Sequence, residues 1–190
     1  STKLEDFGGV ASYETVGKSW ATVQNTPLRK WKNYSHEGGI RTPLIVSWPK
    51  VIQKTGGFTT QPGHLIDIMA TCVDVAKAEY PEQYKGVSIT PLEGQSLRPV
   101  FDTGRRDEQT IFWEHEGNRA VRQREWKLVS RFPGDWELYN MDTDRTEIHN
   151  VAEAHPQLVT KMSALWDAYA ARSNVEIDWN EILQRRKAQR

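Results

Sequence analysis

Lys32 is the side chain in this sequence whose type and spacing best suit the binding of an anion. It lies in KWKNYSHEGGIRTPLIVSWP, residues 30–49, five residues before Glu37-Gly38-Gly39. A lysine in this position is either a solvated surface charge or a cation directed at a bound anion. Because most lysines are exposed on protein surfaces, the spacing alone favours the solvated alternative.

Residues 36–39 follow Lys32 and are predicted to form a tight turn. Gly38 and Gly39 allow the backbone to approach its neighbours where a side chain would collide. Glu37 is expected to anchor this turn through hydrogen bonds rather than to exchange protons. His36 is a candidate substrate-binding residue, with a simple packing role as its alternative.

His115 is the other candidate for substrate contact. In EHEGNRAVR it lies with Glu116 and Asn118 between the end of one predicted strand and the start of the next. Its alternative is a plain surface turn. We predict no metal site within this sequence, and the single cysteine, Cys72, excludes both an internal disulfide and a CxxC site.

The composition of the chain narrows the classes of partner. Its 190 residues include 25 basic and 25 acidic side chains, so net charge gives no reason to expect nucleic acid as a partner. No apolar run of about 18 residues is present, so no membrane span is expected. Eight tryptophans predict a core with much aromatic packing.

The first part of the chain, residues 1–105, is predicted to close an α/β sheet domain. Residues 1–39 read mostly as loop because glycines recur there. TPLIVSWP, residues 42–49, predicts a short strand buried on both faces. A mostly buried helix is predicted from about residue 64 to 78, with Cys72 as one of its small buried side chains.

The second part, residues 106–190, is predicted to be a small α+β subdomain. QTIFWEH, NRAVRQREWKLVSR and WELYNM have the alternation expected of antiparallel strands, with a tip at Gln123-Arg124. HPQLVTKMSALWDAYAAR predicts a covering helix whose first turn contains Pro156. One face of this helix is apolar and consists of Leu158, Met162, Leu165, Trp166 and Tyr169. The basic end, NEILQRRKAQR, is expected to fray or to dock elsewhere.

These segments together resemble the C-terminal third of an arylsulfatase of the alkaline-phosphatase-like superfamily. The resemblance rests on NTPLRKWKNYSHEGGIRTPLIVSWP, HLIDIMATCVDVAKAEYP, LEGQSL, FWEHEGNRAVRQREWKLV and WELYNMDTDRTEIHNVAEAHPQLVTKMSALWDAYAAR. They occur in the order of that family between Asn25 and Arg172. The resemblance implies the fold class α/β, with the closing part of the sheet domain followed by the small C-terminal subdomain.

The resemblance also implies a chemistry. Such sulfatases cleave sulfate esters with a formylglycine made from the C/S-x-P/A-x-R motif and a Ca²⁺ ion held by Asp and Asn side chains. Lys32 matches a family lysine that contacts the sulfate and the ester oxygen, and His115 matches a turn near the mouth of the cleft. Lys30 is expected to lie in solvent. Members of the family are often periplasmic or secreted.

The sequence departs from the family in what it omits. It contains no C/S-x-P/A-x-R motif and none of the recognisable Ca²⁺ ligands. We therefore expect a fragment that is inactive alone and that needs the remainder of the sulfatase catalytic domain as its partner. Two alternatives stay open: a phosphatase, phosphodiesterase or phosphonate hydrolase of the same superfamily, and a non-enzymatic binding module.

Overall fold

A four-stranded antiparallel sheet covered by a helix forms the larger part of the structure. The computed structural model of the chain describes residues 16–53, 56–175 and 178–188, together with residues 5, 8 and 9. The sheet has the order β3-β4-β5-β6, with the strands Ile111–His115, Asn118–Gln123, Trp126–Ser130 and Trp136–Asn140. Its covering helix, α5, extends over Pro156–Arg172. The predicted antiparallel sheet and covering helix are therefore confirmed.

Tight turns join the first three strands of this sheet. Glu116 and Gly117 both have positive φ between β3 and β4, as a two-residue hairpin turn requires. In the next hairpin Gln123 is paired with Trp126, so its tip consists of Arg124 and Glu125. The predicted tip at Gln123-Arg124 is thus one residue too early.

The two faces of the sheet pack against different partners. One face is apolar and contributes Val121, Leu128 and Leu138 to a core with Met162 and Trp166 of α5. Because successive strand residues point to opposite faces, their neighbours form a second face. This second face is more polar and includes Ala120, Arg122, Lys127, Val129, Glu137 and Tyr139.

Residues 16–42 belong to the same compact unit as this sheet. They include two helices, α1 (Gly17–Asn25) and α2 (Glu37–Ile40), where the sequence predicts mostly loop. Helix α1 lacks a side-chain cap and buries no residue, so its sequence carries little helical signal. The predicted boundary between two parts of a sulfatase near residue 105 stays a prediction.

The other compact unit comprises residues 43–111. It contains the helices α3 (Ile66–Ala76) and α4 (Arg98–Thr103) and a two-stranded hairpin, β1 (Gln83–Tyr84) with β2 (Val87–Ser88). A buried ion pair of 2.7 Å between Asp67 and Arg106 holds its interior. The carboxylate of Asp67 also accepts hydrogen bonds from the backbone N–H groups of His64 and Gln95.

Two expectations for this unit are wrong. Residues 42–49 form no strand, and Ile45 at their centre is 92% exposed. Helix α3 is present, but Leu65 before it is 82% exposed and Cys72 within it is exposed rather than buried. A strand or a helix face is buried only by a neighbouring element, and none of the described residues covers these positions.

The last predicted segment is more ordered than expected. Trp179–Ala188 forms a further helix, α6, where the sequence predicts a frayed or docked end. Among the described residues no helix is long and apolar enough to cross a membrane.

Candidate functional site

The loop that carries Lys32 has an unusual backbone. Lys32 itself is exposed. Two nearby residues that are not glycine, Lys30 and Asn33, have φ angles of 65° and 83°, in the left-handed region. Such a conformation is typically about 1–2 kcal/mol less favourable for a residue with a side chain, so it persists only where surrounding contacts fix it.

Asn118 at the start of β4 supplies several of these contacts. Its side-chain amide donates hydrogen bonds to the backbone oxygens of Asn33, at 2.7 Å, and His115, at 3.0 Å. Its side-chain oxygen accepts a hydrogen bond from the backbone N–H of Phe132 at 3.2 Å. The hydroxyl of Ser35 donates to the backbone oxygen of Asn118. One buried side chain therefore joins three segments of the chain.

His115 lies beside the loop of Lys32. It is exposed at the end of β3, and its Nε2 atom is 3.3 Å from the side-chain oxygen of Asn33, the residue after Lys32. The structure thus places His115 against the residue that follows Lys32, although the two positions that the sequence singles out are 83 residues apart. The geometry shows neither a sulfate contact for Lys32 nor a substrate contact for His115, and both stay predictions.

The two glycines of the loop lie where no other residue fits. A Cβ atom on Gly38 would be 2.3 Å from the backbone oxygen of Lys30. A Cβ atom on Gly39 would be 2.0 Å from the backbone oxygen of Tyr34. Backbone atoms cannot move aside as a flexible side chain can, so both contacts require glycine.

Glu37, at the start of α2, takes part in a buried ionic network. Its carboxylate accepts a hydrogen bond of 2.7 Å from Nζ of Lys127, which is also 2.7 Å from Oε1 of Glu147. The backbone N–H of Glu37 donates to the other oxygen of Glu147 at 2.8 Å. Lys127 and Glu147 are fully buried and Glu37 is nearly so. Burial lowers the pKa of nearby Arg122, while the charge of Glu37 acts in the opposite direction.

A second network surrounds Glu137 on β6. Its carboxylate accepts hydrogen bonds from Arg29, at 3.1 Å, and from the hydroxyl of Tyr139. Burial alone would raise the pKa of Glu137, but the hydrogen bonds of His36 and Tyr139, with the charges of His36 and Arg29, lower it to about 2. Burial and the hydrogen bond to Glu137 raise the pKa of Tyr139. Glu137 is therefore held as a carboxylate.

His36 is fully buried within this second network. Its Nε2 atom lies 3.5 Å from Glu137, and its Nδ1 atom is buried without a hydrogen-bond partner among the described residues. Substrate contact by His36 stays a prediction, and the buried ring favours the packing role.

Lys30 is not in solvent, contrary to expectation. It is only partly exposed, and its Nζ atom lies 5.8 Å from the ring centroid of Tyr34. Burial lowers the pKa of Lys30, and the charges of Arg131 and Arg29 lower it further. Lys30 therefore lies against the ring of Tyr34 rather than in solvent.

Comparison with known proteins identifies the family of the chain. Residues 30–169 match the family described as N-sulphoglucosamine sulphohydrolase, C-terminal. The chain belongs to this family. It is the C-terminal portion of a sulfatase, as the sequence predicts.

Curated relatives of the sulfatase chain agree with this assignment. It is 28% identical over 183 residues to an uncharacterised sulfatase of Schizosaccharomyces pombe, a match that covers 90% of this chain and 32% of the relative. It is 30% identical over 173 residues to a sulfatase of Formosa agariphila, which covers 82% of this chain and 31% of the relative. The chain thus spans about a third of the length of these relatives.

Solved structures show the same fold. The crystal structure of Ps i-CgsB matches with a TM-score of 0.63 and 24% identity, and the match covers 76% of this chain and 32% of that chain. A structure from work on glycosaminoglycan metabolism by Bacteroides thetaiotaomicron matches with a TM-score of 0.62, 21% identity and the same coverage. The chain therefore shares the fold of the corresponding part of both solved structures.

The networks that hold the sulfatase loop were missed by sequence reasoning. Lys127 reads as one polar residue of an alternating strand, and its carboxylate partners are 90 and 20 residues away along the chain. Asn118 carries a weak signal, since it follows a predicted turn beside His115. No signal in the sequence predicts the contact of Arg29 with Glu137, because it joins residues separated by 108 positions.

Proposed function

We propose that this chain is the C-terminal part of an enzyme that hydrolyses sulfate esters to an alcohol or phenol and sulfate, and that Lys32 contacts the sulfate ester. The observation that carries the proposal is the setting of Lys32. It is an exposed cation in a loop whose backbone is fixed by Asn118, by two obligatory glycines and by the buried ionic network of Glu37.

A cation fixed in this way suits the chemistry of sulfate ester hydrolysis. Negative charge grows on the leaving oxygen as its bond to sulfur breaks. A positioned ammonium stabilises that charge without reorganising during the reaction, which is why such groups act mainly on the transition state. Removal of one such group typically lowers the rate by about 10²–10³-fold.

His115 is proposed to contact a more remote part of the substrate. Its ring nitrogen lies beside Asn33 rather than within the buried networks, and its side chain is exposed. A contact of this kind contributes to substrate preference more than to bond breaking. His36 is a weaker candidate, because its ring is fully buried here.

We propose that neither Ca²⁺ nor the formylglycine nucleophile is held by the residues of this chain. Within residues 16–53, 56–175 and 178–188 there is no group of three or more His, Cys, Asp or Glu side chains that could hold a metal ion. The sequence also contains no C/S-x-P/A-x-R motif. We propose that both lie in the remainder of the sulfatase catalytic domain.

The exposed apolar residues of the unit 43–111 support a role for that remainder. Leu44, Ile45, Phe58 and Leu65 are each more than half exposed. Large apolar side chains gathered on one segment usually mark a surface that another part of the protein covers. The chain spans about a third of its relatives, so the remainder of the domain is the proposed occupant.

The proposal is tested by the turnover of a chromogenic aryl sulfate. We expect the full-length protein to hydrolyse it and the 190-residue chain alone to show no turnover above background. In the full-length protein, Lys32→Ala should lower kcat strongly, while Lys161→Ala, an exposed lysine on α5, should leave it unchanged. Hydrolysis of a phosphate ester but not of any sulfate ester by the full-length protein would contradict the proposal.

A further inference from the structure

Two cationic side chains from different parts of the chain lie near the ring of Tyr34. Nζ of Lys30 is 5.8 Å from the centre of its ring, and the guanidinium carbon of Arg131 is 5.7 Å from the same centre. Lys30 precedes the ring in the Lys32 loop, whereas Arg131 follows the end of β5. Two cations are therefore gathered at one aromatic side chain.

The nearby carboxylate of Glu137 already has other partners. Glu137 accepts hydrogen bonds from Arg29 and Tyr139 and lies against His36. Within the part of the chain that the structure describes, the side chains of Lys30 and Arg131 form no hydrogen bond and no ion pair. Arg29 thus has the carboxylate of Glu137 as its partner, whereas the contacts of Lys30 and Arg131 are with the ring of Tyr34.

This arrangement leaves an excess of positive charge where Lys30 is partly buried and Arg131 is exposed. Lys30 is partly buried, and the neighbouring charges of Arg131 and Arg29 act against its protonated form. Like charges held close together are unfavourable unless an anion offsets them. A bound oxyanion would remove this repulsion and would accept charge-assisted hydrogen bonds from both side chains.

The pair lies close to the proposed sulfate-contacting lysine. Asn118 bonds to the backbone of Asn33, which follows Lys32, and to the backbone of Phe132, which follows Arg131. The same side chain bonds to the backbone oxygen of His115. The backbone segments that carry Lys32, His115 and Arg131 are therefore joined through one buried residue.

We propose that Lys30 and Arg131, on Tyr34, form a second anion-binding site that takes an oxyanion group of an acidic saccharide, either a further sulfate or a uronate carboxylate. The inference rests on the proposed function in so far as Lys32 binds the sulfate that is cleaved. It extends that function from a single sulfate ester to a substrate class that carries at least two negative groups.

The test is the equilibrium binding of three disaccharide analogues to the full-length protein, measured by calorimetry at low and physiological salt, with a non-hydrolysable sulfonate in place of every sulfate ester. The first carries one sulfonate and no other charge, the second carries two sulfonates, and the third carries one sulfonate and one uronate. We expect the second or the third to bind more tightly than the first, and which of them does so identifies the anion. Lys30→Gln and Arg131→Gln should each remove about tenfold of this advantage, the size expected for one charge-assisted hydrogen bond.

Matched variants distinguish an effect of the proposed site on binding from an effect of overall charge and from loss of the fold. Lys161→Gln removes an exposed lysine on α5 and should leave the advantage intact. Arg131→Lys keeps the charge and should restore part of it. Equal binding of all three disaccharides, or an equal loss for all three in Lys30→Gln and Arg131→Gln, would overturn the inference.

Failure of the proposed function would look different. Lys32→Gln should weaken all three disaccharides while the preference for the doubly charged ones persists. If Lys32→Gln changes neither kcat on an aryl sulfate nor any affinity, but Lys30→Gln still removes the preference, the role of Lys32 is wrong and the second anion site stands.

Discussion

Replacement of Lys127 by methionine should destabilise the protein more than any change to an exposed charge. Lys127 lies between the carboxylates of Glu37 and Glu147, 2.7 Å from each, and its side chain is fully buried. Methionine has a similar length and keeps the packing, but it leaves two buried carboxylates close together without their cation. The perturbation is therefore electrostatic rather than steric.

The expected loss follows from the burial of the three groups. Removal of one partner from a buried ion pair typically costs about 3–5 kcal/mol, because an uncompensated charge stays in the interior. Arg122 offsets part of the charge of Glu37, so the lower half of that range, about 3 kcal/mol, is expected for Lys127→Met. Lys161→Met on the exposed face of α5 should change stability by less than about 0.5 kcal/mol.

Urea unfolding, followed by tryptophan fluorescence, measures both values. The triple variant Glu37→Gln, Lys127→Met, Glu147→Gln removes all three charges and keeps an amide oxygen that can accept the backbone N–H of residue 37. Since replacing a whole buried ionic group is often close to neutral, this variant should recover most of the loss. A loss below about 1 kcal/mol for Lys127→Met, or a triple variant as unstable as Lys127→Met, would refute the reasoning.

Three further predictions concern the same loop and its surroundings. Gly39→Ala should destabilise the fold by about 2 kcal/mol or more in urea unfolding, since its Cβ would collide with the backbone oxygen of Tyr34. Gly86→Ala is the control, because Gly86 has a positive φ but open space around it, so this variant introduces backbone strain without a collision. Equal losses of stability in the two variants would contradict the account. The pKa of Glu137 falls from its ordinary 4.5 to about 2, so the stability that this carboxylate contributes is about 3 kcal/mol, is present above pH 4.5 and is lost between pH 4.5 and 2. Glu137→Gln should abolish this part of the acid dependence of unfolding, and an unchanged pH profile would contradict the prediction. His115→Ala in the full-length protein should alter kcat/KM among sulfated saccharides more than kcat on a small aryl sulfate, and equal losses on both would instead indicate a role in bond breaking.

Local patterns predicted the sheet and its covering helix. Strands β4 and β5 alternate apolar residues across one hairpin, and α5 combines a proline in its first turn with an apolar face that includes Met162 and Trp166. Each of these signals lies within a few residues, so neighbouring sequence suffices. The segment around Ile45 could not be predicted from its local pattern, because an apolar run becomes a strand only beside another strand.

Some residues of the candidate site can likewise be predicted from local sequence, and others cannot. Lys32, Glu37 and the two glycines are recognisable together because they share one short motif. Lys127 and Asn118 are not, since their roles depend on contacts between the loop and the polar face of the sheet. A lysine at the centre of a strand usually faces solvent, and only its two distant carboxylates keep Lys127 in the interior.

The most direct test of the account is the dependence of the Lys32→Ala effect on the leaving group. The measurement is kcat of the full-length protein and of Lys32→Ala for a series of aryl sulfates whose phenols differ in pKa, with Lys161→Ala as the matched control. If Lys32 stabilises charge on the departing oxygen, Lys32→Ala lowers kcat by about 10²–10³-fold, most for phenols of high pKa, while thermal stability changes little. A kcat close to that of the parent protein, or a loss that is the same for every leaving group, would contradict the assignment of Lys32 to the sulfate ester.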